Sequence, residues 1–422
     1  MDYIKNFFKY SKKDSLIRDS FILFISTLGL SIAGFFYHFY MGRVLGPEQY
    51  SILGALFSLI YIILVPFQVI QTSITNFVAR FKAKKQDNKI NTLFIRSLKK
   101  LTLYSLVLMI IFAIASKFIA EFLHIQIKYI LLILPLILLS FLLPVSRGLM
   151  QGSQLFKGLG INMTIEGLSK VIFGILLVMI GFGIFGAIFA IILSFLLPLI
   201  GSLFVLRSYL KKKKSKIISK DIYSYAVPVT LALLIFTGFY SIDIFIIKHF
   251  FNEAQAGLYV ALSYIGRIIF FATQSIALVM FPKSVENFTT RKINLKILDK
   301  ALILVSIVGS LGVLFYLIFP RFVINLLYGK DYLNISNLVW LFGLAMLFFS
   351  LVYVLILYNL SINKRKFIYI ILFFLIIEGI LLWFLHANLL QVTIIMALIM
   401  FLMFIVIYIY TKNAAKYNNS SV

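Results

Sequence analysis

The chain has 422 residues, 62% of them apolar, with a mean hydropathy of +1.03 and a net charge of +26. A soluble domain is about half apolar and about a quarter charged, so this composition excludes one and points to an integral membrane protein. Cysteine is absent, which excludes a disulfide framework and a thiolate metal site. The Lys and Arg residues lie in short gaps between apolar runs rather than in a stripe on a soluble face, which argues against a nucleic-acid partner.

A membrane-spanning helix needs about 20 apolar residues. Twelve such runs follow one another, near 19–40, 50–79, 101–121, 128–146, 159–180, 184–206, 223–247, 256–281, 301–320, 335–358, 367–385 and 391–411. Ahead of them, "MDYIKNFFKYSKKDSLIRDS" has no compact apolar core followed by small residues, so no cleavable leader is expected. Under this assignment the N-terminus, even-numbered loops and C-terminus hold 32 Lys and Arg, the odd loops six, and the spans two, Lys170 and Arg267. So lopsided a count places both termini in the cytoplasm.

A shift of 206 residues lays "QYSILGAL" (49–56) over "QAGLYVAL" (255–262) and matches Gln68 with Gln274, so the second span repeats as the eighth. A shift of 204 lays "KFIAEFL" (117–123) over "RFVINLL" (321–327). The expected fold is all-α and integral to the membrane, with about 12 transmembrane helices in two six-helix lobes. Residues 1–206 form the N-terminal lobe, 207–222 a basic cytoplasmic linker and 223–422 the C-terminal lobe. Transporters built from such repeats hold substrate where the repeats meet.

In the second span, Gln68, Gln71, Thr72, Thr75, Asn76 and Arg80 fall on one side at 100° per residue, and Ile70, Ile74, Phe77 and Val78 on the other. Polar side chains are costly in lipid, so this stripe faces a wet cavity or ties helices together. The eighth span groups Tyr259, Ser263, Arg267 and Gln274 in the same way. In the fifth, "NMTIEGLSK" sets Glu166 and Lys170 one turn apart, the spacing of an internal ion pair. Asp243 in the seventh span and Glu378 in the eleventh stand alone, and isolated intramembrane carboxyls suit proton or sodium coupling; a pair between Asp243 and Arg267 would instead make both structural. No Walker loop and no HExxH spacing occurs among these residues.

The stretch "MGRVLGPEQYSILGALFSLIYIILVPFQVIQTSITNFVARF" (41–81) resembles the polysaccharide-transport flippases, O-antigen and exopolysaccharide exporters of the superfamily that includes MATE drug exporters and the lipid II flippase. "EAQAGLYVALSYIGRIIF" (253–270) and "RFVINLLYGKDY" (321–332) resemble the corresponding second-lobe segments. The resemblance implies a MATE-like, V-shaped transporter of two six-helix lobes in the cell membrane. Its implied cargo is a polyprenyl- or dolichyl-linked (pyro)phosphate oligosaccharide, turned from the cytoplasmic to the outer leaflet for cell-surface polysaccharide synthesis, with polysaccharide-assembly proteins as further partners. No catalytic residue and no cofactor beyond a coupling H+ or Na+ is expected. Cations in a wet cavity suit an anionic headgroup. The candidate substrate residues are therefore Arg267, Lys170, Gln68, Asn76, Arg80 and Gln274, and the ion-coupling candidates are Asp243, Glu166 and Glu378. Arg80, Arg147 and Lys283, at the inner mouth, rank behind Arg267 and are either mouth cations or topology signals. Three other functions compete. A MATE-type cation-coupled drug exporter would want acidic and aromatic groups without the cations. A membrane glycosyltransferase or polymerase would need a catalytic domain or a long outer loop bearing carboxylates. A scaffold or receptor would have no use for charges facing a cavity.

Overall fold

The computed structural model describes residues 15–210, 230–231, 233–289, 295–362, 364 and 366–420. Most of the basic linker (211–222), the start of the seventh span (223–229) and the N-terminal lysines lie outside them. All regular structure among the described residues is helical. The helices are α1 (Ser15–Ile63), α2 (Val65–Ala83), α3 (Asp87–Phe122), α4 (Ile127–Leu132), α5 (Leu134–Gly152), α6 (Phe156–Leu177), α7 (Gly183–Leu210), α8 (Leu233–Phe239), α9 (Ile242–Phe250), α10 (Glu253–Thr289), α11 (Leu295–Ile318), α12 (Pro320–Leu327), α13 (Val339–Ser361), α14 (Phe367–Phe384) and α15 (Leu389–Ser420).

Among the described residues nine helices are long and apolar enough to cross a membrane, or ten if α8 and α9 form one bent span. Two of these stretches run for 62 residues (Ile22–Ala83) and 52 residues (Phe156–Arg207), each more than twice what a crossing needs. Each is broken where glycine allows it. Gly46 has φ 71°, in the left-handed region that only glycine enters without strain, and Pro47 then starts the next helix, where its missing N–H is no loss. Gly181 and Gly183 have φ 95° and 50° around the π turn Val178–Phe182. Among the described residues, counting each of these stretches as two crossings gives eleven, and twelve if α8 and α9 form one bent span; counting continuous helices gives nine or ten.

The chain divides into two compact units, Met1–Leu45 with Leu56–Thr237, and Gly46–Ala55 with Gly238–Val422. The division expected from sequence does not contain this exchange of residues 46–55. Its physical reason is close packing within the second unit: Gly257 lies so near the Pro47 carbonyl that no Cβ would fit, and Gly54 lies likewise against Val260. Without a hydrophobic drive between helices in lipid, such small residues let backbones approach and gain contact.

In the first unit α2 and α3 pack on α5, and α6 on α7. Ile74, Val78, Phe94, Val145, Leu149 and Leu206 form part of its core. In the second unit α13 lies at the centre against α10, α11 and α15. Tyr50, from the exchanged segment, shares a 3.1 Å hydroxyl hydrogen bond with Tyr328, which in turn lies against Tyr332 with ring centroids 5.1 Å apart.

Candidate functional site

The polar stripe of α2 serves two directions. Gln71 donates from Nε2 to Gln151 Oε1 at 2.9 Å, and Thr75 donates to Gly148 O and to Gln151 Oε1, both at 3.3 Å. These bonds join α2 to α5, whose Gly148 and Gly152 lie flush against it: an added Cβ would come 2.7 Å from Ile74 Cβ and 2.7 Å from Thr75 O respectively. The other half of the stripe, Gln68, Thr72, Asn76 and Arg80, repeats every fourth residue and is exposed. Elsewhere in the same unit the exposed face of α3 is Leu103, Val107, Ile110, Ile114 and Phe118, the composition that lipid requires. A ridge of amides, a hydroxyl and a guanidinium on a spanning helix requires water instead. Arg80 rests 5.7 Å over the Phe77 ring at one end of this ridge.

Behind α2, the unit holds a closed charged network. Arg147 of α5 is 4% exposed and forms an ion pair with Glu166 of α6, its Nη2 lying 2.6 Å from Oε2. Arg147 Nε donates to Asn162 Oδ1 at 2.7 Å, and Asn162 Nδ2 donates to Pro198 O of α7 at 2.6 Å. Arg147 also lies 5.6 Å over the Phe67 ring. Glu166 therefore pairs with Arg147 across helices rather than with Lys170 one turn along, because Arg147 offers a hydrogen-bonding fork held in place by Asn162. Lys170 is half-buried and acts on Glu166 only at longer range.

In the second unit the charges gather around the break between α8 and α9. The turn at Tyr240 and Ser241 interrupts the backbone ladder, and Arg267 of α10 donates from Nη2 to the Tyr240 carbonyl at 2.7 Å. Its guanidinium lies 5.2 Å from the Tyr240 ring centroid and 4.9 Å from that of Tyr264. A carbonyl released by a helix break inside a membrane must find a donor, and Arg267 supplies it. Two residues beyond the turn, Asp243 is 0% exposed. It accepts from Tyr259 Oη at Oδ2 (3.0 Å) and from Ile244 N at Oδ1 (2.8 Å), and it feels the charge of Arg267. Glu378 of α14 is also 0% exposed and feels Asp243.

The structure thus brings Asp243, Tyr259, Arg267 and Glu378 together in the second unit, and leaves Gln68, Asn76 and Arg80 on an exposed face of the first. Arg267 is 5% exposed and bound to backbone, so it is not a free cavity cation. Gln274 is hydrogen-bonded with Tyr353, and Lys283 is exposed. Two features escaped the sequence reading. One is the "GLMQG" stretch at 148–152, a G-x-x-x-G spacing that marks close helix contact. The other is the break in "FTGFYSID", signalled only by Gly238 and Ser241.

A sequence profile of the family described as "polysaccharide biosynthesis protein" matches residues 16–288. An uncharacterised membrane protein of Methanocaldococcus jannaschii is 26% identical over 335 residues, covering 73% of this chain and 75% of its own. Among solved structures, an inward-facing multidrug resistance MATE family transporter of the MOP superfamily matches with a TM-score of 0.79 at 14% identity, over 93% of this chain and 96% of that one. The lipid II flippase MurJ, in an inward closed conformation, matches with a TM-score of 0.72 at 14% identity, over 94% and 87%. At such identities the likeness is one of fold. It bears out the all-helical, multi-pass MATE-like architecture, as the profile bears out the polysaccharide-transport resemblance.

Proposed function

The chain belongs to the polysaccharide biosynthesis protein family, and from that membership we propose that it is a flippase. It turns a polyprenyl- or dolichyl-linked (pyro)phosphate oligosaccharide from the cytoplasmic to the outer leaflet of the cell membrane by alternating access, with both termini in the cytoplasm. The observation that supports this reading is the exposed ridge Gln68, Thr72, Asn76 and Arg80 on a membrane-spanning helix. Amides and a hydroxyl exchange hydrogen bonds with sugar hydroxyls, and Arg80 and the half-buried Lys170 bring positive charge to a phosphate group. The lipid tail needs no polar partner and stays in the bilayer. Turning over a whole molecule makes and breaks no covalent bond, so the proposed cycle uses no catalytic residue. It runs on a coupling cation at the carboxyls of the second unit, with no other cofactor, and hands its product to polysaccharide-assembly proteins.

The test is reconstitution into liposomes containing a fluorescent polyprenyl-pyrophosphate oligosaccharide, reading how much outer-leaflet label becomes protected with time. Protein-dependent flipping that is lost when Gln68, Thr72 and Asn76 are all changed to Ala supports the reading. Absence of flipping in the wild type, with uptake of a lipophilic cation in its place, would assign the chain to drug export.

A further inference from the structure

One group in the second unit has, among the described residues, no partner that explains it. Glu378 is fully buried, and neither of its carboxyl oxygens has a hydrogen-bond donor among the described residues. An ionised carboxylate there would lack hydration, donors and a counter-charge, a condition proteins avoid by pairing the group or neutralising it. The charge it feels is that of a second carboxyl, Asp243. The helices holding the two are in contact at this level, since a Cβ on the neighbouring Gly379 would come 2.9 Å from Ile242 Cδ1.

The surroundings divide the two carboxyls by role. Asp243 has two donors, Tyr259 and Ile244, and lies in the field of Arg267, so an anion there has hydrogen bonds and a counter-charge. Glu378 has none of these. The other titratable groups facing the pair are Tyr259, which feels both carboxyls, and Arg267. On α15, which packs along α14, Tyr410 is bonded to the backbone at Lys366, beyond the opposite end of α14 from Glu378. When two adjacent carboxyls stand in such different environments, one carries the proton and the other the charge.

We propose that Glu378 is a proton-binding site, loaded beside an ionised Asp243, and that it takes a proton from water on one side of the membrane and releases it to water on the other during transport. A proton fits better than a metal cation, because it needs a single oxygen and no group of three or more His, Asp or Glu ligands occurs among the described residues. The coupling step rests on the flippase reading; the proton site itself does not.

Two measurements test the proposal separately. Infrared spectroscopy of the full chain in lipid nanodiscs reads protonated carboxylic acid directly. The expected result is a carbonyl band that moves on deuterium exchange, disappears in Glu378→Gln and remains in Glu166→Gln. A band unchanged in Glu378→Gln overturns the site, and so does the absence of any exchangeable carboxylic acid band in folded wild type, which needs no variant to fold. In proteoliposomes, an imposed pH gradient should accelerate flipping by the wild type, and Glu378→Gln should lose that response. A response retained in the variant, or a sodium gradient that substitutes for the pH gradient, overturns proton coupling. A wild type that flips nothing defeats the flippase reading, while the infrared band still decides the site.

Discussion

Each unit buries charge in its helices, and the two do so differently. In the first, Arg147, Glu166, Asn162 and the Pro198 carbonyl form a chain in which every member has a partner. In the second, Arg267 and Asp243 have partners while Glu378 has no donor on either oxygen among the described residues. A satisfied network resists change and fixes how helices pack. A carboxyl left without donors is stable only with a proton or ion aboard, so a position of that kind can load and unload. Buried charge in a membrane protein is thus informative through what remains unpaired.

The strongest way to break this contrast is Arg147→Ala. It strands Glu166 in the interior, and removing one partner of a buried pair costs about 3–5 kcal/mol. A large drop in thermal unfolding temperature is expected, largely recovered when Glu166→Gln is added; an unchanged midpoint would show that the network is not closed. Arg267→Ala takes a charged donor from the Tyr240 carbonyl and should cost about 3 kcal/mol. Its unfolding midpoint should fall less than that of Arg147→Ala, and an equal fall would remove the distinction between the units. Gly152→Leu forces a side chain against the α2 backbone and should cost about 2 kcal/mol by overpacking, seen in the same unfolding measurement. Changing Gln68, Thr72 and Asn76 together to Ala should alter stability least, within about 0.5 kcal/mol per site, while flipping is lost. A large loss of stability there would mean that the ridge packs against protein instead of facing water.

How far these features can be read from sequence depends on whether they are local. The long apolar runs that the described residues cover and the stripe on α2 follow from periodicity along one chain segment, and they are present in the structure. The division of that stripe is not local. Gln71 and Thr75 differ from Thr72 and Asn76 only in facing α5, and nothing in the stretch 65–83 says where α5 lies. Likewise Glu166 and Lys170 have the spacing of a pair, yet Arg147 takes Glu166 because a neighbouring helix brings a better-placed fork. Arg267 was legible as a mid-span charge, but its partner is a carbonyl at a helix break, and no side-chain pattern announces a carbonyl.

The seating of residues 46–55 in the second unit also bears on how the protein is made. Tyr50 and Leu53 are fully buried in the finished molecule, and the helix that Pro47 and Gly54 rest against begins at Glu253. Roughly 200 residues must be translated before that surface exists, a wait of about 10–40 s at ordinary synthesis rates. Throughout it, a stretch with the docking face already formed sits in the bilayer without its mate. An N-terminal fragment would leave the ribosome carrying a piece that only the other half can accept, so two separately expressed halves should find each other through this short segment first.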